Sequence, residues 1–368
     1  MWTGSGPLPA EPALLPELPG IVSGGQVRRT VDWIADQQDA DGALPWFRGG
    51  QLDPWDSIEA AMALDVGGRH DSAAAAYRWL AARQRPDGSW ASEYRLASGT
   101  YAETSPGVES NHAGYLAVGL WHRWLVTGDD ALVAELWPAV RRGLDLVTRM
   151  QLPGGTIGWA LQPDGTPDDT ALLTGNASLF QALRCGVALA DLRGEPQPDW
   201  ELAAVDLGAA LRTRPEAFAD RSRYSMDWYY PVLAGALTGA AAEDRLAWGW
   251  ETFVVPGLGI RCVSDRPWAT GAETCELALA LSAAGRPDDA LEQVAAMQHL
   301  RDDDGSYWTG LVFADGKRWP IERTTWTAAA VVLAADALSG ATGACGLFAD
   351  PAALPPVGAD EEFQPRPG

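Results

Sequence analysis

Four times the chain runs Gln, a few residues, Gly, then Trp: Gln38…Gly42…Trp46, Gln84-Arg85-Pro86-Asp87-Gly88-Ser89-Trp90, Gln151…Gly155…Trp159 and Gln298…Asp304-Gly305-Ser306-Tyr307-Trp308. Each copy closes a helical pattern, and the fourth carries three extra residues between Gln and Gly. The chemistry of the unit is readable. Asp-Gly supplies a turn and a left-handed helix stop, a Gln amide can bond backbone groups freed at a helix end, and Trp can cover the end of the neighbouring hairpin. A unit that recurs dictates architecture before it dictates chemistry.

The architecture follows from the links between helices. Helical periodicity predicts twelve helices, near 26–38, 56–67, 71–84, 110–127, 130–150, 170–193, 199–213, 229–239, 242–254, 270–284, 287–300 and 323–340, and hardly any stretch alternates as a strand does. Even-numbered helices are followed by short Gly-containing links, among them Gly67-Gly68, Thr127-Gly128-Asp129, Arg193-Gly194 and Ala284-Gly285. Odd-numbered helices are followed by long, aromatic, charged links, and four of these hold the Gln-Gly-Trp unit. Short links on one face and elaborated links on the other predict six helical hairpins in a ring, an all-α single (α/α)6 toroid. The even helices are apolar nearly all round and rich in small residues, so they form the inner ring, with the N-termini at one mouth. The toroid is expected over residues 23–345. Residues 1–22, with five prolines, and the acidic, Pro-rich residues 346–368 are expected to be flexible tails.

Composition narrows the partners. With 27 basic against 49 acidic residues the net charge is −22, which disfavours nucleic acid and anionic membrane surfaces. The most apolar stretch, Thr327 to Leu338, is too short to span a bilayer and contains Asp336. No basic-then-apolar leader is evident, and the four cysteines lack paired spacing, so a reduced, cytoplasmic protein is expected. No zinc spacing, phosphate loop, GxGxxG or GxSxG elbow occurs, so neither metal nor cofactor is expected, and nothing sets an oligomeric state.

Carboxylate chemistry remains, and the mouth is rich in it. The six long links bring Asp53, Trp55 and Asp56; Glu109 and His112; Asp168 and Asp169; Asp227, Trp228 and Tyr229; Asp265, Arg266, Trp268 and Glu273; and Trp319, Glu322 and Arg323. Asp56, Asp169 and Asp227 read first as N-caps, and Glu322-Arg323 can be a first-turn dipole pair. Trp46, Trp90, Trp159 and Trp308 belong to the repeat and read as structural cover, whereas Trp55, Trp228, Trp268 and Trp319 lie outside its phase and suit a ligand surface. The chain has 18 Trp against 8 Tyr and 7 Phe, more indole than a core needs. Indole faces pack on sugar rings or isoprenoid chains.

Two superfamilies share these features. The Gln-Gly-Trp units resemble the repeats of terpenoid cyclases and protein prenyltransferase β subunits. The protonating DxDD motif of the cyclases is absent, however, with Asp53-Pro54-Trp55-Asp56 a loose echo. The order of segments from Leu52 to Leu64, Ser110 to Tyr115, Thr127-Gly128-Asp129, Glu135 to Val147 and Glu322 to Ala330 resembles six-hairpin glycosidases of the glucoamylase-like kind. That resemblance implies glycoside hydrolysis by two carboxyl groups, with Glu322 near the position of the family's base. Such enzymes place a general-acid Glu after a Trp in the third long link; here Trp159 is followed by Ala160, leaving Asp169, Asp168 or Glu109 as the acid. Asp53, Trp55 and Asp56 would hold the terminal sugar. The alternatives are an isoprenoid cyclase or prenyltransferase with Asp53 or Asp56 as proton donor, which requires a largely apolar cavity, and a catalytically silent sugar- or lipid-binding toroid.

Overall fold

Residues 15–355, apart from Pro163, are described by a computed structural model. The outer helices are α1 (Gly24–Gln37), α3 (His70–Arg83), α5 (Asp130–Arg149), α7 (Pro198–Thr213), α9 (Gly239–Phe253) and α11 (Pro287–Ala296). The inner helices are α2 (Pro54–Val66), α4 (Ser110–Thr127), α6 (Leu173–Arg193), α8 (Ser225–Leu233), α10 (Gly271–Ala283) and α12 (Thr325–Ser339). Each inner helix packs on the next, and α12 packs back on α2, which closes the ring. The twelve helices of the described residues form an (α/α)6 toroid.

The inner helices need not be amphipathic, because they meet protein on every side. In α2 all residues from Pro54 to Val66 are buried. Small residues set their spacing: a Cβ on Gly114 of α4 would come within 2.7 Å of Leu179 in α6. The short links end α4, α6 and α12 on Gly128, Gly194 and Gly340, all left-handed.

The repeat proves to be a staple between outer helices. In the first two copies the helix stops at the Gln in extended conformation and in the third one residue earlier, at Met150, and the left-handed residue is the Gly within the following turn. Gln38 donates to the Gly42 carbonyl and to Ser72 of α3; Gln84 donates to Gly88 and to Ala139 of α5; Gln151 donates to Gly155 and to Ala203 of α7. Each turn glycine lies against the backbone of that next helix, so a Cβ on Gly88 would sit 2.1 Å from the Arg142 carbonyl oxygen. The fourth copy keeps this contact, Gly305 against Arg29 of α1, but its Gln298, in the 3-10 turn after α11, bonds back to Val294 of α11.

Three expectations need correction. Strands are present, in the long links: β1 (Gln51–Leu52), β2 (Glu93–Ala97) and β3 (Thr100–Ser105) form one antiparallel sheet. A second runs in chain order through β4 (Val254–Val255), β5 (Gly259–Arg261), β6 (Trp268–Thr270), β7 (Gly310–Val312) and β8 (Lys317–Arg318). At two to six residues each, they are too short to show a period. Helix α8 starts at Ser225, not 229, and carries Pro231 inside it. Pro231 cannot donate to the Asp227 carbonyl, and Arg245 does so instead at 2.6 Å, bonding Trp228 as well. The stretches 15–22 and 346–355, expected to be tail, pack against the toroid, with Leu18, Val22, Leu347, Phe348 and Leu354 joining the core. Leu18 and Val22 are buried and bridge each other, and Arg184 of α6 donates to the carbonyls of Pro351, Leu354 and Pro355. Short Pro-rich segments can dock through main-chain carbonyls without any hydrophobic period. The remaining parts of the expected tails, 1–14 and 356–368, lie outside the described residues.

Candidate active site

The N-termini of the inner helices surround a cavity of about 340 Å³, and the residues that start α2, α4, α6 and α8 (Asp53, Glu109, Leu172 and Tyr224) all line it. Its polar wall includes Asp53, Asp56, Glu109, Asn111, His112, Thr174, Arg221 and Asp227; Trp46, Trp55, Trp326 and Met226 supply apolar faces.

Asp53 caps α2. One carboxylate oxygen accepts from the Asp56 N–H at 2.9 Å, the other from the Trp46 indole at 2.7 Å. Asp56 hydrogen-bonds to Asp53, and burial, followed by the charges of Asp53, Glu59 and Glu276, holds its pKa well above the carboxylate range. Both Asp53 oxygens already accept hydrogen bonds, and Asp56 is the carboxyl that burial drives toward its neutral form. The spacing 53, 56, 59 places a third acid one turn further in on the same helix face. Glu59 accepts from the Trp55 indole at 2.7 Å and from Tyr115 of α4 at 2.8 Å, and burial pushes its pKa up to about 7. Glu276 of α10 accepts from Tyr229 of α8, and burial and the Glu59 charge hold it well above its usual range. The ring is therefore polar beneath the cavity, with two acids and their tyrosine donors.

Glu109 starts α4 but makes no capping bond with its side chain, which leaves the carboxyl available to the cavity. Its backbone pairs with Ala160 in an antiparallel bridge. On the next turn of α4, His112 is buried with an unpartnered Nδ1. Asp227 is tied down: its Oδ1 accepts from the N–H and hydroxyl of Thr174 at 3.2 and 2.5 Å, and burial raises its pKa.

Of the residues singled out from the sequence, Asp53, Trp55, Asp56, Glu109, His112 and Asp227 meet at this cavity. Trp228 and Tyr229 are core residues, Trp228 packed against Phe253 and donating to the Arg245 carbonyl. Glu273 is buried beside Cys262, whose thiol bonds it. Asp265 pairs with Arg223 on the surface. Arg266, Trp268 and Trp319 line a separate depression. Arg323 is held by Asp302 and Asp304 of the fourth repeat turn and lies over Trp308. Asp169 is exposed, and the half-buried Glu322, its pKa raised by burial, is not among the cavity-lining residues. Sequence reasoning passed over Trp46, Glu59 and Glu276. Trp46 was hidden by its membership of the repeat; the i, i+3 spacing from Asp56 could have found Glu59.

No protein-family model matches the chain. Over 334 residues, 91% of this chain and 92% of the relative, it is 55% identical to a protein of Mycolicibacterium hassiacum named MMP endo-(1,4)-3-O-methyl-alpha-D-mannosidase. Its fold is similar to that of a glycosidase solved in complex with glucose, with TM-score 0.65 and 17% identity over 88% of this chain and 97% of that one. A rhamnosidase from Klebsiella oxytoca with rhamnose bound gives TM-score 0.61 and 18% identity over 86% of this chain and 64% of that one.

Proposed function

Because the chain belongs to the family of the MMP endo-(1,4)-3-O-methyl-alpha-D-mannosidase and is a glycoside-hydrolase-like enzyme, we propose that it cleaves internal α-1,4 bonds of 3-O-methylmannose chains in the cavity at the inner-helix N-termini. The observation that carries the mechanism is the pairing of Asp56, buried beside Asp53 with its pKa held well above the carboxylate range, with an uncapped Glu109 in the same cavity.

Hydrolysis needs one carboxyl group to protonate the leaving oxygen and another to activate water or attack the sugar. Asp56 supplies the proton as the bond from the anomeric carbon to the bridging oxygen breaks. Glu109 takes a proton from the water whose oxygen bonds to that carbon, and the proton returns to Asp56 between turnovers. Asp53 positions Asp56, and the free Nδ1 of His112 is available to a sugar hydroxyl. The indoles of Trp46, Trp55 and Trp326 give the methyl ethers an apolar surface. An isoprenoid site would be largely apolar; the carboxyl groups of Asp53, Asp56, Glu109 and Asp227 on the cavity wall tell against it.

The test is cleavage of 3-O-methylmannose oligosaccharides by the parent, Asp56→Asn, Glu109→Gln and Glu322→Gln. The first two variants are expected to lose about 10²- to 10⁴-fold in kcat while folding normally. Full activity in Asp56→Asn would remove it as the acid, and a loss in Glu322→Gln as deep as in Glu109→Gln would return the base to the start of α12. Water activation by Glu109 also predicts inversion at the anomeric carbon, which NMR of the first product reads directly.

A further inference from the structure

A second depression of about 430 Å³ opens beside the cavity, on the five-stranded sheet. Its floor is apolar: Val263, Pro267 and Val312, with Trp268 and Trp319 meeting edge to face at 4.7 Å. The Trp268 indole donates to the Trp319 carbonyl at 2.7 Å, which fixes one ring, while Trp319 is 53% exposed and the nearby Ile321 85%. Of its two arginines, Arg223 is neutralised by Asp265.

The position of this platform gives it meaning. Only a thin ribbon separates it from the cavity: Tyr224 bridges Val263, Ser264 donates to the Arg223 carbonyl and Ser225 to that of Cys262. Tyr224 and Cys262 of that ribbon line the cavity, and their chain neighbours Arg223 and Val263 line the platform. A polymer cut internally has to leave the cavity at both ends, and beyond this ribbon lies an exposed indole surface suited to methylated sugar faces.

We propose that the Trp268–Trp319 platform is a distal subsite that binds a further segment of the same methylated mannan chain whose bond is cut in the cavity. The proposal rests on the substrate assigned above. The platform contributes affinity for long chains and none to the bond-breaking step, since it shares no carboxylate with the cavity.

The experiment compares Trp319→Ala and Trp268→Ala with the parent on a long 3-O-methylmannose polymer and on a short oligosaccharide of the same linkage. Trp319 is largely exposed, so its truncation spares the fold; Trp319→Phe should restore part of the effect. The ratio of kcat/KM for the long chain to that for the short one is expected to fall about tenfold in Trp319→Ala, the scale of one lost aromatic stacking contact. An unchanged ratio would overturn the proposal. If the parent cleaves neither substrate, the assigned activity fails separately, and the platform is then judged by fluorescence titration with the long polymer: equal affinity in parent and Trp319→Ala overturns it. A change in oligomeric state on substituting Trp319 would also overturn it, in favour of self-association through this surface.

Discussion

Glu59 links the stability of the ring to the protonation of its cavity, and Glu59→Gln separates the two. Folding raises the Glu59 pKa from 4.5 to about 7. Between those values the native state binds more protons at this site than the unfolded state does, so stability falls as pH rises through the window. The contribution is fully present below the unfolded value and lost once pH passes the folded one. A shift of this size corresponds to about 3 kcal/mol, of which roughly 2–3 kcal/mol is lost between pH 5 and 8. Gln keeps the side-chain oxygen that accepts from Trp55 and Tyr115, so packing is retained while the titrating group disappears. Urea unfolding at pH 5 and pH 8, in parent and variant, measures the difference of differences. The variant should lose about 2–3 kcal/mol less than the parent between the two pH values. The same substitution removes a charge that raises the Asp56 pKa, so the alkaline limb of kcat should move to lower pH. Identical pH dependence of stability in the two proteins would refute the assignment of a buried, proton-binding Glu59.

Other outcomes follow from particular contacts. Trp46→Phe removes the indole that donates to Asp53 and should lower kcat/KM about 10- to 100-fold without unfolding the protein, as loss of a bond to a charged acceptor does; steady-state kinetics with circular dichroism checks both. Gly88→Ala should destabilise by more than about 2 kcal/mol, because a positive φ combines with a backbone oxygen in the place of the new methyl. Gly68→Ala, at positive φ in open space, should cost about 1 kcal/mol in the same denaturation assay. Arg123→Ala should cost about 3–5 kcal/mol, since Arg123 bridges buried Asp65 at 2.5 Å and Asp129 at 2.9 Å, and its loss strands the Asp65 carboxylate. A thermal midpoint within a degree of the parent would exclude that account.

The alternation of short glycine links with long aromatic ones was enough to order twelve helices into a ring, because helix periodicity and caps are local properties. It also identified the mouth, since all inner helices start there. What was not legible depended on pairs remote in sequence. Nothing local distinguishes Trp46 from Trp90: one bonds a cavity carboxylate, the other the Leu80 carbonyl in the core. Trp228 and Trp268 look alike in their links, yet one is core and the other lies on a separate platform.

The sequence by itself determined the toroid, the face on which the inner-helix N-termini and the long links meet, and the supply of carboxylates and indoles. Only the tertiary structure decided which of them come together. It set Asp56 against Asp53 above a buried Glu59, left Glu109 uncapped at the cavity, and tied Arg323 and Asp227 to structural partners. The physical reason is that helix identity depends on neighbours three and four residues away, whereas burial, charge proximity and an unused hydrogen-bonding atom depend on which side chains the closed ring brings face to face.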